Sequence, residues 1–207
     1  GIVTVSVALI TNNIYDIYNN FSDSLRHSAF QVASIISTTG YATTDFNAWQ
    51  GISKGLLFLL MFMGGCAGST AGGLKLSRVL LLFKRIRASL KRMIHPRSTE
   101  FVRLEGKKVE NETFNGVTAY FAFYMMCITA TFFILLFEPF DLETNLSAAV
   151  SCFNNVGPAF SQAASNYDIY SPFSKVVLSF AMLLGRLEIY PMILLFSPRN
   201  WIKSRNK

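Results

Sequence analysis

The chain has 207 residues, of which 51% are hydrophobic, 14% aromatic and only 15% charged. Soluble proteins carry about 25% charged residues, so this composition excludes a disordered chain and argues against a water-soluble globule; a membrane protein is the class that fits. The net charge of +7 would suggest nucleic acid in a soluble protein, but the bases cluster beside hydrophobic segments, as cytoplasmic flanks of membrane helices do.

Residues 1–10 (GIVTVSVALI) are apolar, yet ten residues cannot cross a hydrocarbon core of about 30 Å. The polar run Thr11 to Asn20 follows. This segment reads as the end of a truncated spanning helix. Residues 24–36 predict a helix too short to span, running into the small and polar loop Ser37 to Asp45. A short helix followed by a polar loop is the pattern of a re-entrant segment.

Residues 53–63 are apolar and meet Gly64-Gly65-Cys66-Ala67-Gly68-Ser69-Thr70-Ala71-Gly72-Gly73. Each glycine costs a helix about 1 kcal/mol relative to alanine, so this run predicts an interruption. Inside a membrane, unwound backbone persists only where it is buried in protein or lines water. A basic amphipathic helix is predicted from Leu74 to Ile94, ended by Pro96. Residues 97–112 predict a cytoplasmic hairpin, and Phe114 to Phe137 a full uncharged span. Residues 145–153 predict a second short helix, followed by the loop 154–160 (NNVGPAF). Residues 172–196 predict the last span, with Arg186 and Glu188 inside it.

The two halves repeat. Gln31–Thr43 aligns with Ala148–Phe160 at an offset of 117, matching Ser34 to Ser151, Gly40 to Gly157 and Ala42 to Ala159. Lys54 and Lys175 each open an apolar segment and precede a glycine by ten residues, Gly64 and Gly185. Each unit reads as helix, re-entrant pore helix, loop, helix. Both run in one direction, which puts 75–112 and 197–207 inside, with fifteen of the nineteen bases. The outside then holds Asp16, Asp23, Asp45, Glu138, Asp141, Glu143 and Asp168 against Arg26, Lys54 and Lys175. Such an acidic vestibule concentrates cations.

A dehydrated cation needs oxygen ligands, and potassium filters supply backbone carbonyls from a short glycine-containing loop. Thr38-Thr39-Gly40-Tyr41 and Asn155-Val156-Gly157-Pro158 are candidates for such loops. A glycine after a helix also serves as a C-cap; repetition after two helices too short to span favours the filter reading. Enzyme readings fail. Gly68-Ser69-Thr70-Ala71-Gly72 lacks the G-x-S-x-G spacing, and Leu74 stands where a P-loop requires Lys. Cys66, Cys127 and Cys152 lack disulfide or metal spacing and read as buried thiols. His27 and His95 are isolated, and read as structural or interfacial.

The runs GGCAGSTAGGLKLSRVLLLFK (64–84), HPR (95–97), STTGYATTDF (37–46), CFNNVGP (152–158) and GRLEIYP (185–191) together resemble the TrkH/KtrB family of potassium transporters. The resemblance matches the third and fourth of that family's four pore repeats. It implies potassium (K+) bound by backbone carbonyls of Thr38, Thr39, Gly40, Tyr41, Asn155, Val156, Gly157 and Pro158. It implies a gating loop made by Gly64, Gly65, Gly68, Ser69, Thr70, Gly72 and Gly73, against the plainer reading of a small-residue helix contact. It also implies a pore barrier at Arg186. The alternative for Arg186 is a pair with Glu188, although residues two apart on a helix do not face each other. A homodimer follows from the resemblance, as does a cytoplasmic nucleotide-binding regulatory subunit of the TrkA/KtrA type, through which alone a regulatory nucleotide would act. The basic helix 75–94 would meet anionic lipid headgroups, dock that subunit, or both.

The expectation is therefore an all-α integral membrane protein of the cytoplasmic (inner) membrane, multi-pass, with its C-terminus in the cytoplasm. It holds two tandem helix–pore loop–helix repeats, half of a pseudo-fourfold cation pore. Residues 1–96 form one repeat with filter loop 37–45, 97–112 a cytoplasmic linker, and 113–207 the second repeat with filter loop 154–160. It catalyses no covalent chemistry, holds no cofactor of its own and binds no nucleic acid. The alternatives are a sodium-permeable or ion-coupled relative and a non-conducting scaffold. Because such a filter needs four loops, the length reads as half a pore: the C-terminal fragment of a longer subunit, or a chain that pairs with another.

Overall fold

The computed structural model describes residues 1–65, 69, 72–94, 103–104, 107–108, 111–164 and 166–187. The described residues are mostly helical. The helices are α1 (Ile2–Tyr18), α2 (Phe21–Ile36), α3 (Gly51–Met61), α4 (Leu76–Ile94), α5 (Asn111–Leu135), α6 (Leu142–Asn154) and α7 (Pro172–Arg186). Short 3-10 turns at Phe46–Ala48 and Ser161–Ala163 follow the two loops.

Local chemistry sets the helix starts. The Asn20 side chain accepts from the Ser22 amide at 3.1 Å and caps α2. Ser171 caps α7 by accepting from the Ser174 amide at 3.3 Å, with Pro172 in the first turn. Proline suits that position because the first-turn N–H has no intrahelical partner to lose.

The polar run after residue 10 departs from the sequence expectation, since α1 continues through it to Tyr18. Its polar side chains are bonded to neighbouring helices and do not compete for the backbone. Thr11 Oγ1 lies 2.5 Å from Ser28 Oγ on α2. Asn13 donates to Gln50 Oε1 at 2.9 Å and accepts from Ser53 on α3 at 2.6 Å. Ile10 and Ile14, one turn apart on the inner face, are fully buried. The helix ends only at Asn19, whose left-handed backbone (φ 50°) returns its N–H to the Tyr15 carbonyl.

The glycine run does break the helix. α3 stops at Met61, and two short strands, β1 (Met63–Gly64) and β2 (Leu74–Lys75), pair in parallel across the loop between them. That pairing takes Leu74 and Lys75 out of the expected basic helix, which begins at Leu76. β3 (Arg103–Leu104) and β4 (Lys107–Lys108) pair antiparallel, forming a hairpin in the expected linker. Asn111 and Glu112 of that linker already belong to α5; its residues 97–102, 105–106 and 109–110, His95, Cys66 and positions 188–207, with Glu188 and the end of the last expected span, lie outside the described residues.

α5 is the one helix among the described residues long and apolar enough to cross a membrane, over Glu112–Leu135. α1, α2 and α3 pack together, as do α5, α6 and α7, while α4 leans on α5. One core cluster gathers Ile10, Ile14, Val32, Ile35, Leu57, Leu60, Tyr124 and Phe153. A second gathers Leu135, Ala148, Ala149, Cys152, Ala163 and Leu178. The short helices α2 and α6 sit inside these cores, and their C-terminal ends carry the two glycine loops.

Candidate functional site

The two loops leave their helices by the same bonds. The Thr38 amide donates to the Ile35 carbonyl (3.1 Å) and the Thr39 amide to the Ser34 carbonyl (2.9 Å). In the second segment, the Asn155 amide donates to the Cys152 carbonyl (3.1 Å) and the Val156 amide to the Ser151 carbonyl (3.0 Å). Thr38 and Asn155 share a left-handed φ of 55°. A serine in the last turns then ties back each loop, Ser34 Oγ to the Tyr41 carbonyl (2.6 Å) and Ser151 Oγ to the Pro158 carbonyl (2.7 Å). Every residue in the first set has its counterpart 117 positions later.

Gly40 (φ 78°) and Gly157 (φ 106°) hold backbone conformations that other residues avoid. The loops meet backbone to backbone: a Cβ on Gly40 would overlap the Val156 carbonyl oxygen, and one on Gly157 would lie 3.7 Å from the Gly40 Cα. A helix C-terminus carries roughly half a negative charge from its unpaired carbonyls. α2 and α6 both end here, with no basic residue in either last turn. Carbonyl oxygens, two helix C-termini and glycine backbones suit a cation.

Around the loops, side chains fix their position. Tyr167 donates to the Gly157 carbonyl at 2.6 Å, and Asn47 Oδ1 accepts from the Ser161 amide at 2.8 Å, joining the two halves. His27 Nδ1 lies 3.0 Å from Thr43 Oγ1, and its ring stacks on Tyr18, a structural role. The predicted acidic face is partly neutralised by ion pairs: Arg26–Asp23 (3.2 Å), Lys54–Glu143 (3.7 Å) and Lys175–Asp168 (3.6 Å). Glu138 accepts from the Ser171 amide (3.2 Å) and from the hydroxyls of Ser171 (2.5 Å) and Ser174 (2.6 Å). Those hydroxyl bonds hold its carboxyl below the usual glutamate range.

The interrupted segment lies directly against the end of α6. The Leu74 amide donates to the Phe62 carbonyl at 3.1 Å and closes the base of the loop. A Cβ on Gly72 would overlap the Asn154 carbonyl oxygen, so only glycine lets the two backbones approach this closely. Ser69 is exposed and Gly65 half-buried; Gly68 and Thr70 lie outside the described residues. Gly185 sits against the carbonyl of Phe153, one residue before the end of α6, in the same way, and the exposed Arg186 follows directly on that contact. Thus Gly64, Gly72, Gly73, the second loop and the end of α7 converge, while Thr38–Tyr41 faces the second loop from the other half.

The sequence reading missed Asn47, Tyr167 and Tyr124, whose hydroxyl donates to Asn154 Oδ1 at the start of the second loop (2.6 Å). A tyrosine in an apolar span is one available signal, because its hydroxyl needs a partner when buried.

The TrkH family of cation transport proteins matches residues 2–204. The chain belongs to this family. The Trk system potassium uptake protein TrkH of Halomonas elongata is 34% identical over 202 residues, covering 98% of this chain and 41% of that protein. Trk system potassium uptake protein TrkG of Escherichia coli K12 is also 34% identical, covering 97% of this chain and 42% of its own length. The crystal structure of the potassium transporter TrkH from Vibrio parahaemolyticus superposes with a TM-score of 0.88 at 31% identity, covering 97% of this chain and 43% of that one. The chain therefore spans about two-fifths of the length of these relatives. The family is one of transporters and not of enzymes.

Proposed function

We propose that this chain forms half of a potassium-conducting pore in the cytoplasmic membrane, with its C-terminus inside. In this reading the backbones of Thr38–Tyr41 and Asn155–Pro158 supply two of four sides of a carbonyl filter. The observation that carries it is the meeting of Gly40 and Gly157 just past the C-terminal ends of two short helices, α2 and α6. The segment 64–73 acts as the gate beneath the filter, and Arg186 as an electrostatic barrier on the same side. Residues 1–96 and 113–207 are the two pore units and 97–112 the linker between them.

The remaining two loops come from chain beyond the two-fifths matched here, or from a second chain. A homodimer of complete subunits, a cytoplasmic nucleotide-binding partner of the TrkA/KtrA type and anionic lipid at the basic helix complete the assembly. The potassium uptake named for the relatives supports this reading.

The test is growth of a potassium-uptake-deficient bacterium at low external potassium, using the full-length protein, followed by isotope uptake with competing sodium. Rescue with uptake resistant to sodium is expected. Uptake abolished by sodium would identify a sodium-permeable relative, and failure to rescue by a correctly inserted protein would reject conduction.

A further inference from the structure

The connection that follows the second loop reaches back to it. Tyr167 lies there, half-buried against the second core cluster, and its hydroxyl donates to the Gly157 carbonyl at 2.6 Å. The ring is held from behind. It stacks on Tyr170 with centroids 6.2 Å apart. Tyr170 is buried, meets Phe140 edge-on at 5.2 Å and donates to Asn145 Oδ1 at 3.1 Å. Its amide also donates to the Tyr167 carbonyl at 3.2 Å. Asn145 belongs to α6, so the phenol is anchored on the helix that leads into the loop it touches.

The peptide that accepts this bond has few other constraints. Gly157 is followed by Pro158, so the peptide between them has no N–H, and its carbonyl is the one polar group by which it can be held. The groups on either side have their own partners. The Val156 amide donates to the Ser151 carbonyl at 3.0 Å, and the Pro158 carbonyl accepts from Ser151 Oγ at 2.7 Å. The proline ring fixes φ at 158, whereas Gly157 lacks the Cβ that restricts other residues. One soft torsion is left, ψ at Gly157, and it decides where the Gly157 oxygen points. The phenol sets it.

The first loop is braced at a different point. Gly40 is followed by Tyr41, which keeps its N–H. There Tyr18 Oη accepts from Trp49 Nε1 at 3.3 Å and lies 2.9 Å from Thr44 Oγ1, a side chain four residues past the glycine.

We propose that Tyr167 is a positioning residue of the filter: its hydroxyl sets the direction of the Gly157 carbonyl, and with it the discrimination between potassium and sodium. A carbonyl filter selects by the size of the cage its oxygens form or by the strength of their dipoles, and both depend on where each carbonyl points. This rests on the reading of 154–160 as a filter loop.

Tyr167→Phe keeps the ring and its stacking and removes only the donor. Isotope uptake by the full-length protein with competing sodium should show a potassium-to-sodium preference about 2- to 10-fold below the wild type, the span of one net hydrogen bond. Tyr170→Phe removes a phenol bond of the same connection that does not reach the loop. It should lower the melting temperature and leave the preference at the wild-type value. Pro158→Ala frees φ at the other end of the same peptide and should lower the preference as Tyr167→Phe does; it carries the test should the phenylalanine variant fail to fold. A folded Tyr167→Phe protein with wild-type preference, or an equal loss in Tyr170→Phe, overturns the inference and leaves the pore reading standing. Wild-type preference in Pro158→Ala does the same. A correctly inserted wild type that never conducts removes the pore reading and this inference with it.

Discussion

A Cβ on Gly157 would rest 3.7 Å from the Cα of Gly40, whereas a Cβ on Gly40 would fall on the Val156 carbonyl oxygen. The two glycines are equivalent in sequence but not in surroundings. Alanine at either position is strained, by about 1–2 kcal/mol for a left-handed backbone. Only at Gly40 does the new methyl also collide with a carbonyl of the facing loop. Gly40→Ala should therefore lose more potassium uptake and selectivity than Gly157→Ala, measured by isotope uptake with competing sodium. The opposite order would reject the facing geometry.

Gly185 and Gly116 make a second contrast. A Cβ on Gly185 would overlap the Phe153 carbonyl, so alanine there must push α7 from α6. Overpacking of this kind costs about 1–3 kcal/mol. A Cβ on Gly116 in α5 meets nothing within 4 Å, and alanine there should gain up to about 1 kcal/mol of helix stability. Thermal unfolding in detergent should show Gly185→Ala below the wild type and Gly116→Ala at or above it.

Arg186 is exposed on the last described turn of α7, beside the end of α6. If its charge repels cations at the pore, Arg186→Gln raises flux. Flux unchanged at normal expression would assign the residue a different role.

Glu138 bridges the end of α5 to the start of α7 through Ser171 and Ser174. Its pKa is lowered in the fold, so its contribution is present above the ordinary glutamate value of about 4.3. That contribution is lost as pH falls through the lowered folded value. The melting temperature of Glu138→Gln should lie below the wild type at pH 7. The gap should close on acidification below the ordinary glutamate range. A gap that persists unchanged in acid would show that the carboxylate charge is not what Ser171 and Ser174 recognise.

Helix identity was legible in composition and punctuation. The uncharged run at 114–137 lies almost wholly within α5, and the glycine run coincides with the break between α3 and α4. α1 was not legible past residue 10, because Thr11 and Asn13 read as loop residues until their partners Ser28, Gln50 and Ser53 are known. Within the candidate site, glycine at 40 and 157 signalled special backbone at both positions. The bond from Asn154 to Tyr124 left no mark at short range: thirty residues separate the partners, and asparagine near a helix end usually reads as a cap.

The two halves also differ in how far α3 and α7 stand from their loops. Two residues, 49–50, separate the first 3-10 turn from α3, whereas eight positions, 164–171, separate the second from α7. The longer connection carries Tyr167, whose hydroxyl draws on the Gly157 carbonyl. Among the described residues, no side-chain donor meets the Gly40 carbonyl. The Gly157 oxygen shares its lone pairs with a phenol, a bond its counterpart does not make among the described residues. An ion passing between the loops would thus meet ligands of unequal strength and stiffness. Transplanting residues 37–43 in place of 154–160 would not restore the original site, because the Tyr167 phenol would remain beside a loop whose own glycine carbonyl takes no such bond.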